Sequence, residues 1–88
     1  MKKYRKGSAV VEAVQITHST FDAPHPNPEH VIGVIYDPRK RQVIFETIKG
    51  KPVGKLGDWI VRGAKGELCP VKDNVFRTSY EAVERREA

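Results

Sequence analysis

The side chains that could do chemistry in this sequence are few, and their spacing does not group them. The candidates for metal binding are His18, His25, His30 and Cys69. They form no Cys-x-x-Cys or His-x-x-x-His pair, whereas a structural zinc site needs four ligands at workable spacings. We therefore expect no metal site, and no residue pattern indicates a cofactor.

Covalent and acid–base catalysis have equally little support. Cys69 is flanked by Leu68 and Pro70 in a predicted strand, with no histidine nearby in sequence, and such a cysteine usually behaves as a small apolar side chain. The carboxylates of the predicted strands and turns are scattered, at Glu12, Glu46, Asp58 and Glu67. No phosphate-binding loop, serine elbow or dinucleotide fingerprint occurs. We predict no catalytic residue and expect that the protein is not an enzyme.

Basic and aromatic side chains near predicted turns make nucleic-acid binding an alternative function. The net charge of +5 suits a polyanion but is modest. Small barrels bind nucleic acid through basic and aromatic side chains on a strand face. The basic candidates are Arg39, Lys40, Arg41, Lys49 and Lys51, and the aromatic ones are Tyr36, Phe45 and Trp59. The other interpretation is that these charges are solvated turn residues and that most of the rings are buried.

Length and composition predict one small domain over residues 1–88. The apolar fraction is 39% and the charged fraction 31%, which is an ordinary globular balance. One cysteine excludes an internal disulfide, and no apolar run reaches the ~20 residues of a membrane helix. The basic start resembles that of a signal peptide, but Glu12 and Gln15 interrupt the apolar stretch that should follow. We expect a soluble, cytoplasmic protein.

The N-terminal third contains one clear strand between two irregular segments. Residues 1–7 read as a basic lead-in, a frayed tail that confers solubility. Residues 9–16 alternate as a strand whose two faces are both partly apolar. Residues 17–30 contain three prolines within five positions and predict an exposed loop without ladder hydrogen bonds.

The remaining residues predict hairpins and one short helix. Strands over 31–36 and 42–48 flank an Asp-Pro turn at 37–40, although a short helix over 28–35 is an alternative.

Turns at 49–52 and 55–58 precede a hairpin of strands 59–62 and 67–71, in which Pro70 indicates a sheet edge. Asp73 is a good N-cap for a helix through Tyr80, and residues 81–84 could return to the sheet. The expected fold is mainly β: a small curled antiparallel sheet or open barrel of five or six short strands, with one short helix near the C-terminus.

Residues 57–76 resemble a pattern of small proteins from tailed bacteriophages and prophages. The segment GDWIVRGAKGE at 57–67 joins a glycine–aspartate–aromatic turn to a second glycine hairpin, and a Phe/Tyr segment follows. Both ends of the chain are similar to the same proteins, but the proline-rich middle is not. The sequence departs from the pattern at 68–71, which leaves the register of the last hairpin strand open. Such proteins mostly have no assigned function, so the resemblance implies a phage origin and a bacterial cytoplasm and carries over no catalytic residue.

We expect a non-catalytic phage accessory protein that binds a host or phage macromolecule. Arg62, Lys65 and Glu67 beside the glycine turns are the candidate partner-binding patch. The alternatives are a nucleic-acid-binding small β-barrel and a minor structural component of the virion. The motif can also be explained by folding alone, because Asp58 can cap backbone donors of a tight turn and Trp59 can then enter the core. The partner and the oligomeric state are left open.

Overall fold

The computed structural model describes residues 2–22 and 33–83. The elements in chain order are β1 (Lys2–Lys6), β2 (Ala9–Gln15), α1 (His18–Asp22), β3 (Val34–Asp37), β4 (Gln42–Phe45), β5 (Val53–Lys55), β6 (Trp59–Arg62), β7 (Leu68–Val71), α2 (Asp73–Ser79) and β8 (Glu81–Ala82). The mainly β class with a short helix near the C-terminus is confirmed. In detail, the described residues form eight strands in two antiparallel sheets.

The larger sheet combines two local hairpins with two long-range pairings. Its strand order is β7-β6-β2-β1-β8, so β7 lies at an edge, as Pro70 predicted. The hairpin of β6 and β7 is confirmed, and its register pairs Arg62 with Leu68 and Trp59 with Val71. The pairing of β2 with β6 joins this hairpin to the N-terminal one. The predicted return of the chain after Tyr80 is also confirmed, because β8 pairs with β1.

The interpretation of residues 1–7 as a frayed tail is wrong. Lys2–Lys6 form β1, which pairs along its whole length with β2 and carries β8 on its other side. Four of its five side chains are charged, but Tyr4 points into the apolar cluster around Phe76. The backbone hydrogen bonds to two neighbouring strands hold this polar segment in the sheet despite its low β propensity.

The smaller sheet is a meander of β3, β4 and β5. Its first hairpin is confirmed: the Asp37 carboxylate accepts hydrogen bonds from the backbone N–H groups of Arg39 and Lys40, at 3.1 and 3.2 Å. The alternative helix is wrong for residues 33–35, where the chain enters β3. Residues 28–32 of that alternative lie outside the described residues.

Both helices differ from the sequence predictions. His18–Asp22 form α1 inside the predicted loop, and Phe21 packs against the core. The rest of that loop, with its three prolines, lies outside the described residues. Helix α2 begins at Asp73 rather than being capped by it, since Lys72 occupies the N-cap position without a side-chain hydrogen bond. The Asp73 carboxylate instead accepts hydrogen bonds from Trp59 and Arg77.

The larger sheet is covered on both faces, which divides the core into two clusters. On one face, the smaller sheet packs over Ile16, Val43, Phe45 and Ile60. On the other face, α2 packs Phe76 against Ala13 and Val61. Because Ile60 and Val61 are successive residues of β6, they point to opposite faces and both are buried. The prediction that the strand at 9–16 is partly apolar on both faces is also confirmed, because Val14 packs against the first cluster and Val11 against the second.

Gly54 lies at a close approach of the two sheets. A Cβ atom at this position would lie 2.8 Å from Ile16 Cδ1 and 3.5 Å from Pro70 Cβ. A strand residue with a side chain would hold β5 away from the larger sheet, so the glycine permits the packing of the first cluster.

Candidate functional site

The potential metal ligands and the single thiol do not form a reactive centre among the described residues. In residues 2–22 and 33–83, no three or more histidine, cysteine or acidic side chains lie close enough together to hold a metal ion. His25 and His30 lie outside these ranges. Cys69 is exposed on the edge strand β7. Partial burial of the thiol raises the pKa of Cys69, and the nearby Glu67 carboxylate raises it further by a smaller amount. A raised pKa disfavours the nucleophilic thiolate.

The predicted patch of Arg62, Lys65 and Glu67 lies at one end of the β6–β7 hairpin. Lys65 is exposed in the turn, and Glu67 is exposed just before β7. Arg62 is turned to its neighbouring strand, where its guanidinium lies 3.5 Å from the Glu12 carboxylate. The structure thus brings the three residues to one turn, with the Arg62 charge paired to β2.

Glu67 has a packing role at this turn. Its backbone carbonyl accepts a hydrogen bond from the N–H of Gly63 at 2.8 Å. Its side chain also covers Gly63 so closely that a methyl group there would overlap the carboxylate. The glycine therefore permits the Glu67 side chain to lie across the turn.

The basic residues proposed for nucleic-acid binding lie at opposite ends of the smaller sheet. Arg39, Lys40 and Arg41 are in the β3–β4 turn, whereas Lys49 and Lys51 are in the turn that joins β4 to β5. In a meander, successive turns lie at opposite ends of the shared strand. At about 3.3 Å per residue, the length of β4 and its extension to Thr47 separate the two turns by roughly 20 Å.

One of these turn residues, Arg41, is also engaged with the fold. Arg41 has a positive φ of 52° and forms an ion pair with Asp22 of α1. Its guanidinium also lies over the Phe21 ring, 5.6 Å from the centroid. Arg41 thus fastens α1 to the smaller sheet, and Arg39 and Lys40 remain as the exposed cations of that turn.

The three aromatic candidates lie in different surroundings. Phe45 is fully buried between the sheets, and Tyr36 packs against the same cluster. The prediction that Trp59 is largely buried is confirmed, since it packs against the cluster under α2 and is only partly exposed. Tyr36 and Trp59 are thus both packed rings that remain partly exposed, whereas Phe45 is not accessible to a ligand.

Trp59 belongs to an aromatic stack that single-residue reasoning from the sequence missed. Its ring lies parallel to Phe76, at 3.9 Å and 7°, and Phe76 stacks in turn on Tyr80 at 4.6 Å. Tyr4 meets both Trp59 and Phe76 edge-on, at 5.5 and 4.9 Å. The 3.6-residue helical period puts Phe76 and Tyr80 on one face of the C-terminal helix, but nothing local indicates that Tyr4 joins them.

Asp73 connects the elements around this stack. Its carboxylate accepts hydrogen bonds from Trp59 Nε1 at 2.9 Å, Arg77 Nε at 3.0 Å and Gln15 Nε2 at 3.4 Å. The bond from Trp59, followed by that from Arg77, lowers the pKa of Asp73 below its ordinary value. The carboxylate therefore ties β2, β6 and α2 together and fixes the plane of the indole ring.

The Gly57-Asp58 turn is accounted for by its role in the fold. Asp58 is only 8% exposed, and its carboxylate accepts a hydrogen bond from the N–H of Lys55 at 3.0 Å. Lys72 Nζ lies 3.6 Å from the same carboxylate. The predicted capping role of Asp58 is confirmed, and the turn directs Trp59 into the larger sheet.

The outer face of the smaller sheet carries a surface that was not predicted. Ile35, Ile44 and Val53 are register partners on three successive strands, and they point away from the core. Ile35 is 47% exposed and Val53 is 38% exposed. The sequence signal was the apolar, β-branched character of the two strands that contain Ile35 and Ile44. We call these three residues the outer apolar row.

Comparison with protein-family models, with curated proteins and with solved structures finds no match to this chain. No helix among the described residues is long and apolar enough to cross a membrane.

Proposed function

We propose that this chain is a non-catalytic binding protein, and that the outer apolar row is its docking surface for another protein. The observation that carries the proposal is the alignment of Ile35, Ile44 and Val53 across all three strands of an exposed sheet face. Single exposed apolar residues are common, whereas a contiguous row on a small domain is typical of an interaction site.

The charges around the row favour a partner with an acidic rim. The ends of the sheet and its two turns carry the basic residues Arg39, Lys40, Lys49, Lys51 and Lys55 and the acidic residues Asp37 and Glu46. One acid, Asp37, already accepts hydrogen bonds within its own turn. A second copy of this chain would place like charges against one another, so charge complementarity selects a different, acidic protein.

The size of the surface indicates weak and reversible binding. Three strands about 4.8 Å apart give a strip far smaller than the ~800 Å² that each partner contributes to a standard interface. The two basic turns must therefore take part, and we expect micromolar affinity that falls as salt rises. In this proposal, the five basic turn and strand-end residues guide association with a protein rather than with nucleic acid.

The resemblance of residues 57–76 to small proteins of bacteriophages and prophages supports a proposal about where this protein acts. We propose that the protein is an accessory protein of a bacteriophage or prophage and acts in the cytoplasm of the bacterial host. A gene between tail genes would favour the minor virion component instead, and a gene among early regulatory genes would favour the accessory protein.

Cross-linking in a bacterial lysate, with identification of the captured proteins by mass spectrometry, tests the docking surface. The test variant is Ile35→Ser with Val53→Ser, and the matched control is Val10→Ser, since Val10 is 49% exposed on the other sheet. We expect an acidic protein that wild type and the control capture and the double variant loses. Its purified form should bind with the same pattern.

Three results would contradict the proposal. The first is equal capture by the double variant and the control. The second is sedimentation of the wild type as a dimer that Ile35→Ser with Val53→Ser converts to monomers, which would make a second copy the occupant. The third is a preference for oligonucleotides that Arg39→Ala with Lys40→Ala abolishes, which would favour the nucleic-acid alternative.

A further inference from the structure

A second surface, on the opposite side of the larger sheet from the outer apolar row, has the composition of a ligand site. A recess of about 270 Å³ opens beside the aromatic stack. Its lining includes Lys2, Tyr4, Ala13, Gln15, Thr17 and Trp59. The proposed protein interface does not involve this recess, and Trp59 is the one lining residue that belongs to the segment 57–67.

The aromatic wall of the recess is held in a fixed orientation. The Trp59 ring is stacked on Phe76, and its Nε1 atom donates a hydrogen bond to Asp73. Tyr4 supports it edge-on at 5.5 Å. Because the stack and the hydrogen bond hold the partly exposed indole, a planar ligand can pack against it with little loss of side-chain entropy.

The rim of the recess is basic. Lys2 and Tyr4 are two residues apart on β1, so their side chains lie on the same face of the sheet, and Lys3 points to the opposite face. None of the side chains that line the recess is acidic. The nearby carboxylate of Asp73 is engaged by Trp59 and Arg77. The recess therefore combines an aromatic wall with an uncompensated positive charge.

We propose that this recess binds the base and phosphate of a nucleotide, with the ring against Trp59 and the phosphate beside Lys2. Every nucleotide base has a flat face that can stack on an aromatic side chain, and a lysine ammonium is a common phosphate ligand. The volume lies just below the usual ~300–1,000 Å³ of ligand sites, which suits one base and its phosphate rather than a dinucleotide. The same chemistry is presented by a free nucleotide and by a residue of single-stranded nucleic acid.

Fluorescence of Trp59 provides the test, because it is the only tryptophan in the chain. Wild-type protein is titrated with adenosine 5′-monophosphate, adenosine and inorganic phosphate, with N-acetyltryptophanamide as the optical control. We expect saturable quenching by the monophosphate, weaker binding of adenosine and no quenching by phosphate alone. Absence of saturable quenching by the monophosphate up to millimolar concentration would overturn the proposal.

Lys2→Gln and Lys3→Gln form a matched pair that separates a specific site from general attraction. Both variants lose one charge from β1, but only Lys2 lines the recess. We expect Lys2→Gln to weaken monophosphate binding roughly two- to fivefold, as the loss of one exposed charge contact implies, and Lys3→Gln to leave it unchanged. Equal weakening by both would show that only the net charge acts. Circular dichroism verifies that both variants are folded.

A further titration distinguishes the two sources of the ligand. A single-stranded adenine oligonucleotide that binds much more tightly than the monophosphate, with an affinity that falls steeply with salt, identifies nucleic acid as the source. Equal affinity per site identifies a free nucleotide. The protein-docking test is independent of this result, because Ile35 and Val53 lie on the other sheet.

Discussion

The close approach of the two sheets at Gly54 predicts a large effect from a single methyl group. In Gly54→Ala, the new Cβ would lie 2.8 Å from Ile16 Cδ1 and 3.3 Å from Phe45 Cε1, whereas carbon atoms pack best at about 3.5–4.0 Å. Ile16 and Phe45 are both fully buried, so neither side chain can move into solvent. The clash must therefore be relieved by moving β5 or by an unfavourable rotamer of Ile16.

Overpacking of this kind costs about 1–3 kcal/mol. With a loss of about 2 kcal/mol, the melting temperature of a domain this small should fall by about 8–16 °C. Urea denaturation followed by circular dichroism measures the loss directly. The slope of unfolding free energy against urea should stay unchanged, because the surface exposed on unfolding is nearly the same.

Ile16→Val provides the partner variant, because valine lacks the Cδ1 atom. Alone, it should cost about 0.5–1.5 kcal/mol. In the double variant, the space left by Cδ1 accommodates the new methyl group. The double variant should therefore lose about 1 kcal/mol less stability than the sum of the losses of the two single variants. Strictly additive losses, or a Gly54→Ala variant as stable as wild type, would refute the proposed contact between the sheets.

Three other predictions concern the helices and the aromatic stack. Phe21→Ala should lower the unfolding free energy by about 2 kcal/mol in urea denaturation, because Phe21 packs on the core; an unchanged stability would mean that α1 adds nothing. Trp59→Phe should retain the stack but lose the bond to Asp73, at a cost of about 1–2 kcal/mol, and Trp59→Ala should cost about 3 kcal/mol or more by the same assay. Because folding lowers the pKa of Asp73, its carboxylate stabilises the fold fully when the pH is above the pKa of the unfolded chain, near 3.8. This stabilisation is lost as the pH falls through the lower pKa of the folded protein. Thermal melts between about pH 2 and 5 should show this loss as a falling melting temperature. Asp73→Asn should be less stable than wild type at neutral pH, and its melting temperature should vary less across this pH range. A variant with the same pH profile as wild type would contradict the role of Asp73.

The sequence by itself determined the local elements of this fold. The Asp-Pro turn before Arg39, the Gly57-Asp58 turn and the glycine hairpin at 63–66 are all formed, because side-chain caps and glycine backbone freedom act over a few residues. The alternation of 9–16 correctly predicted a strand with two covered faces. Pro70 correctly predicted an edge, because a residue without an N–H cannot donate to a further strand.

The candidate surfaces were less accessible to sequence reasoning. The types of residue were visible, but which residues meet was not. Trp59 was singled out, yet its partners Tyr4 and Phe76 come from distant parts of the chain. The outer apolar row was not predicted, because the apolar character of a strand does not indicate which of its faces is covered.

Only the tertiary structure decided the role of the N-terminal segment and of Asp73. The basic segment Lys2–Lys6 became a strand because β2 and β8 satisfy its backbone on both sides, which no local propensity indicates. Asp73 could have capped its own helix, but Trp59 and Arg77 offered its carboxylate stronger partners once β6 lay beside α2. Local signals thus determined the turns and strands, and pairing between distant segments decided which side chains meet, since that pairing depends on the burial of the whole sheet.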